Sequence, residues 1–517
     1  MALNKNTDPL IHADDIGVTY TKSVSQAHKK EQGQFFTPIK IAALMANLPK
    51  IRKQNSFKVL DPGCGTGILS IALIRRITEE VKGVEEIYLC CYETDQALVP
   101  YTKQSIKVLE NWLKNKKIKL KFNLVQKDFV LDNERFFSEG VAGDYDFVIS
   151  NPPYFKLSRD DKRALIAKRV VSGQPNIYSV FMALSSAMLN EKGQLIFITP
   201  RSYTSGNYFK AFREYLLDEV KLDKVHLFVS RKDTFNRDSV LQETVIISAS
   251  KIKKPQRDYT VEIGTSFGLR DIDTPTCKQY HITQLVDFSS NEKILHFPTN
   301  DNEEAIIYLF KSWKGSLAEY GIKVSTGPVV AFRSWDYIKD QYQNGKVFLA
   351  PLFWLHNVEK MRLTWPVPKP QKGQYILISD ASRSLLIPNK DYILLRRFST
   401  KDDKSRLIAA PYFKAFQKAE YIGVENKVNY IYRPGGELET TEVVGLCAVL
   451  NSELFDTYFG IFNGNVNVSA TELREMAFPP LESIKRIGKR VLDSNDYSME
   501  NVNQIVSEAF ELSEILS

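Results

Sequence analysis

The chain has 517 residues, of which 69 are basic and 61 acidic, a formal net charge of +8. A 43% hydrophobic content excludes whole-chain disorder and, at roughly 100–200 residues per domain, allows two to four domains. No apolar run reaches the roughly 18–20 residues of a membrane helix, the opening residues lack a secretory apolar core, and five cysteines without a CxxC pair exclude a disulfide framework and a structural zinc site. The expectation is a protein of a reducing compartment, with no metal and no membrane. The charge permits nucleic acid as a partner without requiring one.

The first thirty residues are polar and show no strong periodicity. Ile41, Leu44, Met45 and Leu48 recur at helical spacing, so a helix is expected after Pro38. Strands and helices then alternate. Strands are expected at 57–60, 86–92, 120–126, 145–150, 194–199, 224–229 and 240–250. Helices are expected at 68–81, 96–113, 177–189 and near 208–217. This rhythm implies βαβ units and a doubly wound, mostly parallel sheet. Cys90 and Cys91 fall on the second strand and should face opposite sides. The strand at 240–250 is expected to be the last of the layer. After it comes a basic, proline-containing break at 251–258, then irregular, aromatic-rich text without repeats. A domain boundary is expected near 255–285, dividing the chain into 1–270 and 271–517.

The run Asp61-Pro62-Gly63-Cys64-Gly65-Thr66-Gly67 lies between the first strand and the first helix of this series. Glycines there let the backbone approach a ligand, and the helix start offers unpaired N–H groups. A glycine loop alone is also compatible with a structural turn. Two later strand ends add acids. Glu93, 32 residues after Asp61, is placed to accept ribose hydroxyls. Asp128, followed by Phe129, suits an adenine amino group and ring face. Together they point to an adenosyl cofactor; NAD also fits these strand ends, but no hydride-transfer site accompanies them.

Asn151-Pro152-Pro153-Tyr154 follows the fourth strand, at the end where open α/β sheets bind ligands. An exocyclic or amide nitrogen is a poor nucleophile because its lone pair is delocalised. The Asn151 side-chain carbonyl and the Pro152 backbone carbonyl can each accept one N–H, turning the lone pair towards a methyl group. The prolines stiffen the turn, and Tyr154 can stack on a planar substrate. Catalysis is then mostly positioning.

These motifs resemble the amino-methyltransferases that use S-adenosyl-L-methionine. The tetrad is similar both to that of N6-adenine DNA methyltransferases and to that of glutamine-N5 protein methyltransferases, and an RNA amino-methyltransferase is a further alternative. The order favours the DNA enzymes. Thr37, within Gln34-Phe35-Phe36-Thr37-Pro38, precedes the glycine loop, the tetrad comes next, and a large C-terminal half follows. This is the gamma-class, TaqI-type order of type II restriction–modification enzymes, and the whole layout is similar to the PstI or BsuBI kind. The resemblance implies a class I methyltransferase fold followed by a mixed α+β target-recognition domain. The implied activity is methylation of adenine N6 in double-stranded DNA, after the base is extruded from the duplex. It further implies a cytoplasmic, prokaryotic, monomeric enzyme whose cognate restriction endonuclease is a separate chain. By the same resemblance Thr37, Asp61, Gly63, Gly65, Gly67, Glu93, Asp128, Phe129, Pro153 and Phe181 bind the cofactor. Asn151, Pro152, Tyr154 and Phe235 act on the target base, Phe235 stacking opposite Tyr154.

Residues 155–170 carry six basic side chains against Asp160 and Asp161. Lys156, Arg159 and Arg163 among them are expected to contact DNA phosphate, and Arg237, beside Phe235, is a candidate DNA contact. In the C-terminal half, Arg333, Arg433 and Asn467 are candidate DNA contacts, since Arg and Asn make bidentate base pairings; a phosphate contact or a plain surface position is the commoner alternative for each.

Overall fold

A computed structural model describes residues 8–25, 28, 33, 36–173, 175–229, 244–340, 348–399, 405–463 and 467–512. The chain divides into two compact units, Met1–Thr299 and Asn300–Ser517.

Unit 1 is built on nine strands: β1 (Ser56–Pro62), β2 (Glu86–Tyr92), β3 (Lys119–Val125), β4 (Tyr145–Ser150), β5 (Leu189–Pro200), β6 (Val220–Phe228), β7 (Thr244–Lys251), β8 (Thr260–Ser266) and β9 (Thr276–His281). Their order is β3-β2-β1-β4-β5-β7-β6-β8-β9. The strands from β3 to β5 run parallel, and β7 is antiparallel to both of its neighbours. The central strands are buried over most of their length, as expected for a sheet covered on both faces. Helices Ile39–Asn47, Ile68–Glu80 and Val99–Asn115 bury Met45, Ile71 and Leu109 on one face. Helices Ile177–Ala187 and Lys210–Glu219 bury Met182 and Leu216 on the other. Cys90 and Cys91 divide between these two cores as their alternation requires, and all five cysteines are free thiols. The strand order reverses between β1 and β4, which opens a crevice at their carboxyl ends.

Three expectations are corrected here. The opening residues form a helix, Pro9–Ser23, capped by Asp8 and burying Leu10, Ala13, Ile16, Gly17 and Tyr20. The sheet does not end at β7: β8 pairs in parallel with β6, and β9 antiparallel with β8. The boundary expected at 270 therefore falls inside unit 1, whose core also takes in Ile282, Leu285, Leu295 and Phe297. The expected start of the 240–250 strand lies outside the described residues.

Unit 2 contains β10 (Lys323–Thr326), β11 (Ile338–Lys339), β12 (Leu349–Phe353), β13 (Val358–Glu359), β14 (Arg362–Leu363), β15 (Tyr375–Leu377), β16 (Leu386–Pro388), β17 (Tyr392–Arg396), β18 (Ala409–Tyr412), β19 (Tyr421–Val424) and β20 (Val428–Tyr432). They form a four-stranded sheet β10-β20-β17-β18, a five-stranded sheet β11-β15-β12-β19-β16 and the hairpin β13-β14. Helices Asp301–Ser312, Thr440–Asn451, Glu453–Phe462, Ala470–Glu475, Leu481–Ser494 and Met499–Ala509 complete it. The expected mixed α+β character holds.

Candidate active site

The crevice at the reversal point is lined by the glycine loop after β1, by Glu93 after β2, by Asp128 and Phe129 after β3, and by Asn151 and Pro153 after β4. Gly63, Gly65 and Gly67 have φ of 75°, 55° and 83°, a region that side chains with a Cβ rarely adopt. Gly63 and Gly65 face the cavity, whereas Gly67 caps the helix Ile68–Glu80. The Gly65 N–H donates to Glu93 Oε2 at 3.1 Å, and the Asp95 N–H donates to Glu93 Oε1 at 2.8 Å. Burial raises the Glu93 carboxyl above its ordinary range, and these two N–H groups oppose the rise. Sequence reasoning missed the support behind it. Tyr20 Oη donates to Asp95 Oδ2 at 2.6 Å, and His28 Nε2 lies 2.9 Å from the same oxygen. No motif signals that a polar N-terminal helix would brace a strand-end acid. Phe36, Phe155 and Arg163 also line the cavity without having been expected there.

Asp61 departs from expectation. It does not line the cavity. It is 0% exposed beneath the glycine loop, with Ser70 the polar residue beside it. Burial pushes its carboxyl up to about 7, with Ser70 opposing. The folded state therefore holds a proton that the unfolded chain releases near the ordinary aspartate value. Asp61 then contributes stability that is complete below about pH 4 and is lost as pH rises through about 7. The melting temperature should fall across that window, and Asp61→Asn should flatten the dependence; an unchanged slope would contradict this.

The tetrad holds its asparagine from two sides. Asn151 Nδ2 donates to Thr37 Oγ1 at 3.1 Å, and Tyr154 Oη donates to Asn151 Oδ1 at 2.5 Å and to the Ile198 carbonyl at 3.1 Å. Thr37 thus lines the cavity and anchors the asparagine. Tyr154, expected to stack on substrate, turns its hydroxyl onto Asn151, and burial raises its phenol. Pro152 is buried, while Pro153 forms part of the wall. Gly33 lies close to the tetrad: a Cβ there would stand 3.1 Å from the Tyr154 nitrogen. Phe181, on the helix Ile177–Ala187, lies 5.0 Å from the Phe129 ring between centroids and borders the same cavity. Phe235 and Arg237 lie outside the described residues.

The Eco57I restriction-modification methylase family matches residues 74–235. The chain is 30% identical to the type II methyltransferase M.PstI of Providencia stuartii, over 97% of this chain and 97% of that protein. It is 33% identical to the type II methyltransferase M.BsuBI of Bacillus subtilis, over 92% and 93% respectively. The chain belongs to the type II DNA methyltransferases of restriction–modification systems. A nuclease-deletion mutant of the type ISP restriction-modification enzyme LlaGI, solved with a DNA substrate mimic, shares the fold at a TM-score of 0.50 and 12% identity, over 89% of this chain and 47% of that one. The methyltransferase takes its methyl group from S-adenosylmethionine. The cavity suits that group: it is bounded by the acceptors Glu93 and Asp128 and walled by Phe129 and Phe181. No cluster of three or more metal-ligating side chains occurs among the described residues, and no described helix is long and apolar enough to cross a membrane.

The residues expected on DNA fare unevenly. Lys156, Arg159 and Arg333 are exposed. Arg163 is turned into the cofactor cavity. Arg433 is held within unit 2 of the methyltransferase: its Nη1 and Nη2 donate to both Glu442 oxygens at 2.7 and 3.0 Å. This internal fork engages the guanidinium expected to contact DNA. Asn467 bridges Phe398, and its Oδ1 is buried without a partner among the described residues.

Proposed function

We propose that this methyltransferase modifies the N6 amino group of adenine in duplex DNA and so protects sites from a separate nuclease. In this reading it acts as a cytoplasmic monomer, with Met1–Thr299 catalytic and Asn300–Ser517 selecting the target. The observation that carries the reading is an Asn151 amide oriented by Thr37 and Tyr154 at the cofactor cavity. S-adenosylmethionine supplies an electrophilic methyl on a sulfonium sulfur. Glu93 accepts the ribose hydroxyls, Asp128 the adenine amino group, and Phe129 and Phe181 enclose the adenine ring. Gly63, Gly65 and Pro153 let the backbone approach.

Asn151 Oδ1 has two lone pairs, so it can accept one N–H of the target amine beside the Tyr154 hydroxyl. The Pro152 carbonyl accepts the other N–H. With both hydrogens held, the nitrogen lone pair leaves conjugation and lies in line with the methyl group. Tyr154 and Phe235 stack on the extruded base and offset the cost of extrusion, a few kcal/mol. Lys156, Arg159, Arg237 and Arg333 contact phosphate, and Asn467 a base edge.

The test is transfer of labelled methyl groups to duplex DNA, followed by nucleoside analysis. N6-methyladenine is the expected product. N4-methylcytosine, or label confined to RNA or protein, would overturn the reading. Base–aromatic stacking contributes about 1–3 kcal/mol. Tyr154→Ala should therefore lower kcat/KM by about 10- to 100-fold, whereas Tyr154→Phe, which keeps the ring, should lose far less. Equal losses would assign the role to the hydroxyl instead.

A further inference from the structure

Arg163 stands on the segment after the tetrad, where its charge would suit a DNA phosphate. Its guanidinium points elsewhere. Nε and Nη2 donate to the two Asp161 oxygens at 2.9 and 2.6 Å, and Nη1 lies 3.4 Å from Asp128 Oδ2. The guanidinium carbon lies 5.5 Å from the centre of the Phe155 ring, and Phe155 directly follows the tetrad. Arg163 and Phe155 both line the cofactor cavity. The Arg163 side chain is 25% exposed.

The carboxylate it meets is already half used. Asp128 Oδ1 accepts the N–H groups of Val130 and Leu131 at 2.9 and 3.0 Å, capping the turn Phe129–Asp132. Oδ2 is the oxygen left to face a ligand, and Arg163 is the cation beside it. Asp161 is likewise fixed, accepting the Arg163 N–H at 2.9 Å as the cap of the helix Lys162–Ile166. A planar fork can span two carboxylates and lie over an aromatic face; a lysine ammonium, a point charge, cannot reproduce that geometry.

We propose that Arg163 is a positioning residue of the cofactor site: it fixes the Asp128 carboxylate and covers the adenine end of the cavity, and it does not contact DNA. The proposal rests on the reading that Asp128 receives the adenine amino group. It links the tetrad to the cofactor through a short frame of Phe155, Arg163 and Asp128. The Leu157 N–H donates to the Pro175 carbonyl at 2.8 Å and the Ile177 N–H to the Phe155 carbonyl at 2.9 Å, which ties this frame to the helix carrying Phe181.

The test uses the full chain and two separate titrations. S-adenosylmethionine and S-adenosylhomocysteine are titrated by calorimetry, and a duplex by fluorescence anisotropy over a range of salt. Arg163→Ala should weaken both cofactor forms by about tenfold, the scale of a hydrogen bond to a charged group, and leave duplex affinity and its salt slope unchanged. Intact duplex binding also reports that the variant has folded. Arg163→Lys decides the role: a phosphate contact survives it, whereas the fork does not. Lysine should therefore fail to restore cofactor affinity. Unchanged cofactor affinity in Arg163→Ala, full rescue by lysine, or a salt slope reduced by about one would each overturn the proposal. Asp128→Asn separates the layers. If it weakens the cofactor while Arg163→Ala does not, only the Arg163 role fails; if it binds cofactor normally, the placement of adenine on Asp128 fails and the proposal falls with it.

Discussion

Asn151→Ala is expected to lower the rate of methyl transfer by about 10²–10³-fold, the effect of deleting one oriented hydrogen-bonding group at a reacting centre. Cofactor affinity should stay close to that of the unaltered protein. The amide is the acceptor for one N–H of the target amine, and its direction is set by Thr37 Oγ1 at 3.1 Å and Tyr154 Oη at 2.5 Å. Removing it leaves both hydroxyls without that partner and the amine free to remain conjugated with its ring. Ground-state contacts to the cofactor rest mainly on other strand ends, so the loss belongs to the transition state. Single-turnover label transfer at saturating cofactor measures the rate, and calorimetry the affinity. A rate near that of the unaltered protein would remove Asn151 from the mechanism; a parallel collapse of cofactor binding would make it a structural strut of the cavity.

How far this site can be read from sequence depends on whether a residue's role is local. Glycines at 63, 65 and 67, the acids at 93 and 128 and the tetrad all follow strands, and a strand end needs only hydrophobic pattern and spacing to locate. The structure brings these elements together because the strand order reverses between β1 and β4. Depth is not legible in the same way. Asp61 opens the glycine motif yet lies beneath it, fully buried, because β1 is covered on both faces over its last four residues. Strand β9 escaped notice because its first four residues, Thr276 to Gln279, are all exposed and give no alternation. The N-terminal helix buries residues 10, 13, 16, 17 and 20, but two of these are Ala and Gly, and polar neighbours mask the stripe. Arg163 shows the same limit in a charged residue. Proximity to the tetrad suggested DNA, while its direction follows from Asp161 and Asp128, one of them 35 residues away. Charge is visible in a sequence; the partner that neutralises it is not.

Arg433→Ala is expected to destabilise the fold of unit 2 by about 3 kcal/mol, the lower end for breaking a buried ion pair. The lower end applies because the arginine side chain is 25% exposed, although that of Glu442 is only 2% exposed. The guanidinium holds both Glu442 oxygens, and its two terminal nitrogens also donate to the carbonyls of Glu437 and Tyr320 at 3.1 and 3.2 Å. It thereby ties the start of the helix Thr440–Asn451 to the chain ahead of β10. Glu442 also accepts the Glu439 N–H at 2.8 Å in a capping box. Without Arg433 that carboxylate would keep its N–H but lose its counter-charge in a buried place. Burial opposes ionisation of Glu442, yet the Arg433 fork and the Glu439 N–H outweigh it and hold the carboxyl below its ordinary range. A carboxyl depressed in the folded state contributes stability that is present above its unfolded value, about 4.3, and is lost as pH falls through the folded value. The loss from Arg433→Ala should therefore be full at neutral pH and shrink in acid, where Glu442 is protonated in both proteins. Urea unfolding at neutral and acidic pH measures both effects. The same variant, assayed for duplex binding under conditions where it remains folded, should bind like the unaltered protein. A loss of sequence selectivity without loss of stability would return Arg433 to the DNA surface.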